Sequence, residues 1–192
     1  KSGTIRRLAD KQGDPTAKDG IVGAFCRTYS VEDAIETFLP DVYIKGENGR
    51  YTYKGGSTSG GLVIYEDGRF AYSHHSTDPT CGKLCNAFDL VRIHMFGKDD
   101  EGKPANTAAN NLPSYKNMCK WIETNCESVM KELQSKQLDY IVQLFGEGDE
   151  APDMNWVSQL EVNPKTGHAA TTVENIRIIV KNDPRFKGTF YW

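Results

Sequence analysis

Short apolar blocks alternate with polar, glycine-rich stretches along this chain, and the period within each block predicts its element. Residues 62–65 and 69–73 are β-branched and aromatic runs on either side of Glu66-Asp67-Gly68. This predicts a hairpin whose turn uses glycine where φ must be positive. The hairpin leads into a polar knuckle, His74-His75-Ser76-Thr77-Asp78-Pro79, and then through Cys81-Gly82-Lys83-Leu84-Cys85. Asn86 can cap the helix that follows, with Phe88, Leu90, Val91 and Met95 as its apolar face.

Upstream, residues 1–20 are polar, carry no sustained period and predict a flexible or loosely docked N-terminal segment, with the cut end of something longer as one reading. Residues 21–25 are apolar and predict a docking strand. Ser30 then caps a helix with Asp33 in its first turn, Val31, Ala34, Ile35, Phe38 and Leu39 facing inward, and Pro40 ending it. Residues 50–54 follow a Gly-Glu-Asn-Gly turn and read as a strand, with Tyr51 and Tyr53 on one face and Thr52 on the other. Residues 55–61 read as a flexible loop into the hairpin.

Downstream, residues 98–113 hold Gly, Asp, Lys, Asn and Pro with almost nothing to bury, the composition of a linker. Ser114 is placed to cap a long helix with Met118, Trp121, Ile122, Val129 and Leu133 as its stripe, which residues 138–145 either continue or follow as a second helix. An acidic break at 146–153 precedes a short helix around Trp156, Val157 and Leu160, and then a turn with Asn163-Pro164 and Lys165-Thr166-Gly167. Thr171 and Glu174 have the spacing of a capping box for a helix whose apolar face is Val173, Ile176, Ile179 and Val180, stopped by Asp183-Pro184. The aromatic tip Phe190-Tyr191-Trp192 is expected to be docked or to mark a boundary. The whole reads as an α+β protein. A flexible segment at 1–20 precedes a small hairpin-and-helix domain at 21–97, a linker at 98–113 and a mainly α-helical module at 114–192.

Composition favours that two-unit reading, because 38% hydrophobic and 26% charged residues are lean for one thick core. The net charge of −3 excludes a broad basic footprint, so any nucleic-acid contact must be local. No apolar run reaches the roughly 18–20 residues that span a bilayer. Five sparse cysteines are unlike a disulfide framework, which points to a reducing cytoplasm and no membrane.

Candidate chemistry gathers at the knuckle. His74, His75, Cys81 and Cys85 are zinc-ligand types, but Cys81 and Cys85 have three residues between them and no second pair stands near 51–56, so no metal and no cofactor are expected. Tyr51, Tyr53, Tyr72, His74 and His75 could stack bases, while Arg50, Arg69, Lys83 and Arg92 could meet phosphates, the combination used for single strands. Of these, Arg69, Tyr72, His74, His75 and Lys83 form the candidate contacting patch, with Arg92 supporting it. Catalysis finds no phosphate loop, no His-Glu-x-x-His and no Gly-x-Ser-x-Gly. The adjacent acids Asp99, Asp100 and Glu101 fall in the expected linker, and Cys26 and Cys119 lack a local partner.

The blocks GIVGAFCRTYSVEDAIETFLPDVY, YSHHSTDP and NAFDLVRIHMFG resemble the middle region of phage- and mobile-element-encoded replication proteins of the virulence-associated E family. NWVSQLEVNPKTGHAATTVENIRIIVKNDPRFKGTFYW looks like the segment leading into the helicase core of that family. Such proteins resemble fusions of a primase-polymerase with a superfamily-3 helicase. The resemblance therefore implies a connecting region in a bacterial host cell, with the primase acids before Lys1 and the helicase phosphate loop after Trp192. The 21–97 unit is also similar in element order to the zinc-binding domain of bacterial primases, with the ligand pairs lost. The resemblance implies a non-catalytic region that assists single-stranded or primer-template DNA binding beside primase and helicase domains, with an oligomer allowed. An interdomain scaffold without DNA contact is the alternative.

Overall fold

The computed structural model describes residues 2–145, 155–163, 165–183 and 186. Its architecture is α+β, with a five-stranded antiparallel sheet and helices on both of its faces. The chain runs α1 (Ser2–Gln12), α2 (Gly20–Thr28), α3 (Val31–Phe38), β1 (Tyr43–Lys45), β2 (Arg50–Tyr53), β3 (Leu62–Tyr65), β4 (Phe70–Ser73) and β5 (Leu84–Cys85). It continues as α4 (Ala87–Phe96), α5 (Pro113–Asn125), α6 (Glu127–Phe145) and α7 (Val173–Asn182). The strands lie side by side in chain order.

The expected hairpin is present as β3 and β4, with Leu62 opposite Ser73 and Tyr65 opposite Phe70. Its turn places Glu66, Asp67 and Gly68 at φ of 51°, 55° and 88°. The Asn86 cap also forms, its side-chain oxygen accepting from the Asp89 N–H at 2.8 Å. Ser30 and Asp33 make a reciprocal capping box at the start of α3. Phe88, Leu90 and Val91 enter the core, whereas Met95 is exposed.

Several expectations are corrected by packing. Residues 1–20 contain a docked helix, because Ile5, Leu8 and Ala9 fall on one stripe that covers Phe70, Leu84, Tyr65 and Tyr72 on the outer face of the sheet. Gln12 at the end of that stripe donates to the Leu84 carbonyl at 2.6 Å. Residues 21–25 belong to a helix; a five-residue apolar run in which only Val22 is partly exposed has too little period to separate the two structures. Strands β1 and β5 were not expected, being only three and two residues long.

Residues 98–113 do not divide the core. One apolar cluster includes Ile21, Phe25, Tyr51 and Phe88 from before that stretch and Met118, Ile122, Val129 and Leu133 from after it. The stretch is tied down by Asp100, whose carboxylate accepts the Ser114 N–H at 2.9 Å and its hydroxyl at 2.6 Å. Ser114 is therefore inside the first turn of α5, with Leu112 as the cap and Pro113 at the first helical position. The long helix is interrupted at Cys126, which separates α5 from α6, and α6 runs on through 145.

A separate small cluster holds Trp156, Val157 and Leu160 against Ile178 and Ile179 of α7. The cap of α7 is one residue later than expected: Thr172 Oγ1 accepts from the Asn175 N–H at 3.1 Å, and Glu174 pairs with Arg177. That register buries Asn175, which is satisfied by the Glu161 N–H and the Glu161 and Ala170 carbonyls. Val173 and Ile176 consequently turn outward, 76% and 53% exposed. The acidic break at 146–153, Pro164, Pro184 and the tip at 190–192 lie outside the described residues.

Gly23 supplies the close approach that seats α2, since a Cβ there would overlap the Lys18 carbonyl. Gly23→Ala is expected to destabilise the fold by about 3 kcal/mol in urea unfolding. Gly3→Ala, in α1 with nothing near its added Cβ, is expected to be neutral or to gain up to roughly 1 kcal/mol.

Candidate nucleic-acid interface

Alternation along β4 and the residues after it decides which knuckle side chains reach solvent. Tyr72 and His74 share one face, their rings 4.8 Å apart between centroids; His74 is exposed, and Tyr72 is half-buried beside α1. Ser73 and His75 turn to the other face and are buried. Lys83 lies near the same end of β4, because the Gly82 N–H bonds the Ser73 carbonyl at 2.9 Å. It is exposed, and its ammonium donates to the Pro79 carbonyl at 3.2 Å.

The other three expected contacts are placed elsewhere. Arg69 is at the opposite end of β4, held by Asp14 at 3.1 Å and Glu66 at 3.5 Å. His75 is only 5% exposed; the Thr58 N–H donates to Nε2 at 3.2 Å, and Nδ1 lies 3.0 Å from the Thr77 hydroxyl. Its ring packs over Gly56, where a Cβ would overlap it, so it cannot stack a base. Arg92 is 6% exposed and binds Asp89 at 2.9 Å and the Ser114 hydroxyl at 2.6 Å, with Asp100 at 3.6 Å. It clamps α4 to α5 and is not free for phosphate. Of the wider set, Tyr51 is buried in the core and Arg50 donates to the Gly60 carbonyl.

The zinc-type residues are not gathered either. His74 and His75 point to opposite faces and Cys85 is buried. Among the described residues, no group of three or more His, Cys, Asp and Glu is placed to hold a metal. No helix among them is long and apolar enough to cross a membrane.

Sequence reasoning named neither Tyr43 nor His94 in the hydrogen-bond centre that Asp78 forms beneath the knuckle. Asp78 Oδ1 accepts the Thr80 N–H at 2.8 Å and the Thr80 hydroxyl at 2.7 Å, and Oδ2 accepts the Tyr43 hydroxyl at 2.9 Å. His94 Nε2 lies 2.7 Å from the Tyr43 oxygen and 3.5 Å from Asp78. The Tyr43 proton is committed to Asp78, so its oxygen accepts from Nε2–H of His94. The polar knuckle that holds Asp78 was legible locally, but neither Tyr43 nor His94 is near it in sequence.

Burial would raise the Asp78 carboxyl, yet hydrogen bonds from His94, Thr80 and Ser73 outweigh it and hold the group well below its ordinary 3.8. Burial is also the main cause that pushes the Tyr43 phenol far up. A depressed carboxylate stabilises the fold fully above its unfolded value and loses that contribution as pH falls towards the folded one. Asp78→Asn is therefore expected to cost about 2–4 kcal/mol in urea unfolding at pH 7. The gap to the wild type should be constant above about pH 5 and narrow as pH falls below the ordinary carboxylate value of 3.8.

No family model, curated protein or solved structure matches the chain.

Proposed function

We propose that this chain is a non-catalytic region of a phage-type primase-helicase of the virulence-associated E family, and that it helps to hold single-stranded or primer-template DNA. The observation that carries the reading is the Tyr72–His74 ring pair, which ends on an exposed imidazole near Lys83. An aromatic step with an adjacent ammonium serves a single strand: the rings stack on any base and the cation meets the backbone. His75 and Arg92 are buried away from this face, which leaves the contact to Tyr72, His74 and Lys83. The acidic net charge of −3 fits a narrow contact with a small salt slope.

An interdomain scaffold or oligomerisation module without DNA contact is favoured by a different observation, the outward Val173 and Ile176 of α7. Fluorescence anisotropy with labelled single-stranded and forked DNA at low and moderate salt separates the two. On the DNA reading, Tyr72→Ala with His74→Ala weakens binding by about 1–3 kcal/mol per stacked base. Lys83→Ala should lower the salt slope by about 1. Absence of binding at low salt by the folded chain rejects that reading. A dimer dispersed by Ile176→Glu in sedimentation velocity would then support the oligomer.

A further inference from the structure

A cleft of about 510 Å³ opens between the C-terminal half of α4, residues 79–83 and the stretch that follows Phe96, on whose wall lie Ile93 and His94. Its size is that of a small-molecule site, for which roughly 300–1,000 Å³ is usual. Lys83, Lys98 and Lys103 line it and are exposed. Lys98 and Lys103 have no ion-pair partner among the described residues. Asp100 also lines the cleft, but its carboxylate is engaged by Ser114 and Arg92, which leaves three lysines and the Glu101 carboxylate as the remaining charges of the lining.

The wall adds direction to this charge. The His94 side chain lines this wall and is 5% exposed, and its Nε2 is engaged by Tyr43 at 2.7 Å, so in the neutral ring Nδ1 is the nitrogen left to accept. The ring cannot swing away, being wedged edge-on against Tyr43 at 5.2 Å and beside Tyr53 at 6.0 Å. Asp78 holds Tyr43, Tyr43 holds His94, and the chain of bonds ends on a residue that lines a cleft with three lysines. Such a pair of features selects a ligand that carries negative charge at one end and an O–H or N–H donor at the other.

We infer that this cleft binds a nucleoside phosphate, with its phosphates on Lys83, Lys98 and Lys103 and a sugar hydroxyl or base amine donated to His94 Nδ1. Tyr43 and Asp78 are positioning residues for that acceptor. The site shares Lys83 with the proposed DNA contact but neither Tyr72 nor His74, and it does not depend on DNA binding there. A free nucleotide and the phosphorylated end of a strand offer the same chemistry.

The test is calorimetric titration of the whole chain with ATP, with pyrophosphate and with a 5′-phosphorylated oligonucleotide, alongside nitrogen-15 spectra of the histidine rings. ATP is expected to bind and to move the His94 Nδ1 resonance, while pyrophosphate binds more weakly and leaves it in place. Lys98→Ala with Lys103→Ala, both exposed and so without effect on the melting curve, should weaken ATP at least about tenfold. Tyr72→Ala with His74→Ala should leave ATP binding unchanged. If only the phosphorylated oligonucleotide binds and moves His94, the cleft stands and takes a strand end. No binding of any probe at millimolar concentration, or binding indifferent to the lysine pair with an unmoved His94, overturns the inference.

Discussion

A carboxylate removed from water must have all its lone pairs met, and Asp78 is where this fold meets that demand. The oxygens of Asp78 draw in Thr80 from its own turn, Tyr43 from the edge strand β1 and His94 from α4. Three elements far apart in sequence are thereby fixed around one charge. The register of β1 on β2, with Tyr43 opposite Tyr53, brings the Tyr43 hydroxyl over the knuckle, and the phase of α4 brings His94 to the same point. Losing either partner leaves a buried polar group without its mate, which is why such a centre is rigid as well as stable.

A second buried charge does for the helices what Asp78 does for the sheet. Arg92 reaches from α4 to Ser114 on α5 and is flanked by Asp89 and Asp100. Asp100 also satisfies the free N–H at the start of α5, a role the expected Ser114 cap could not fill from inside the helix. Residues that compose like a linker thus become a clamp, and the apolar cluster continues beneath them from Ile21 to Leu133. The surface that results has its Asp89 and Asp100 carboxylates turned inward while Lys83, Lys98 and Lys103 stay in water. A chain of net charge −3 acquires a local cationic concavity by this sorting.

The same sorting reshapes the functional reading. Arg92 and His75 are polar in sequence and structural in space, whereas Tyr72, His74 and Lys83 keep an accessible edge. Alternation along β4 is the reason: adjacent histidines at 74 and 75 point to opposite faces, so one is offered to a partner and the other is sealed over Gly56. The proposed DNA contact and the proposed nucleotide cleft consequently use different residues apart from Lys83.

What the sequence determined by itself was whatever depends on neighbours within a few residues. The hairpin turn at Glu66-Asp67-Gly68, the Asn86 cap and the Ser30 cap all formed as read, because their partners lie within one turn of chain. Only the tertiary structure decided matters of remote partnership. Residues 1–20 hold a helix because a sheet face was there to receive Ile5 and Ala9, and residues 21–25 join a helix whose Ile21, Ala24 and Phe25 enter the core. Tyr43 meets Asp78 across 35 residues and His94 across 51, separations at which local propensity carries no information. Whether a charged side chain becomes a contact or a clamp is set by what packs against it, and that is a property of the fold.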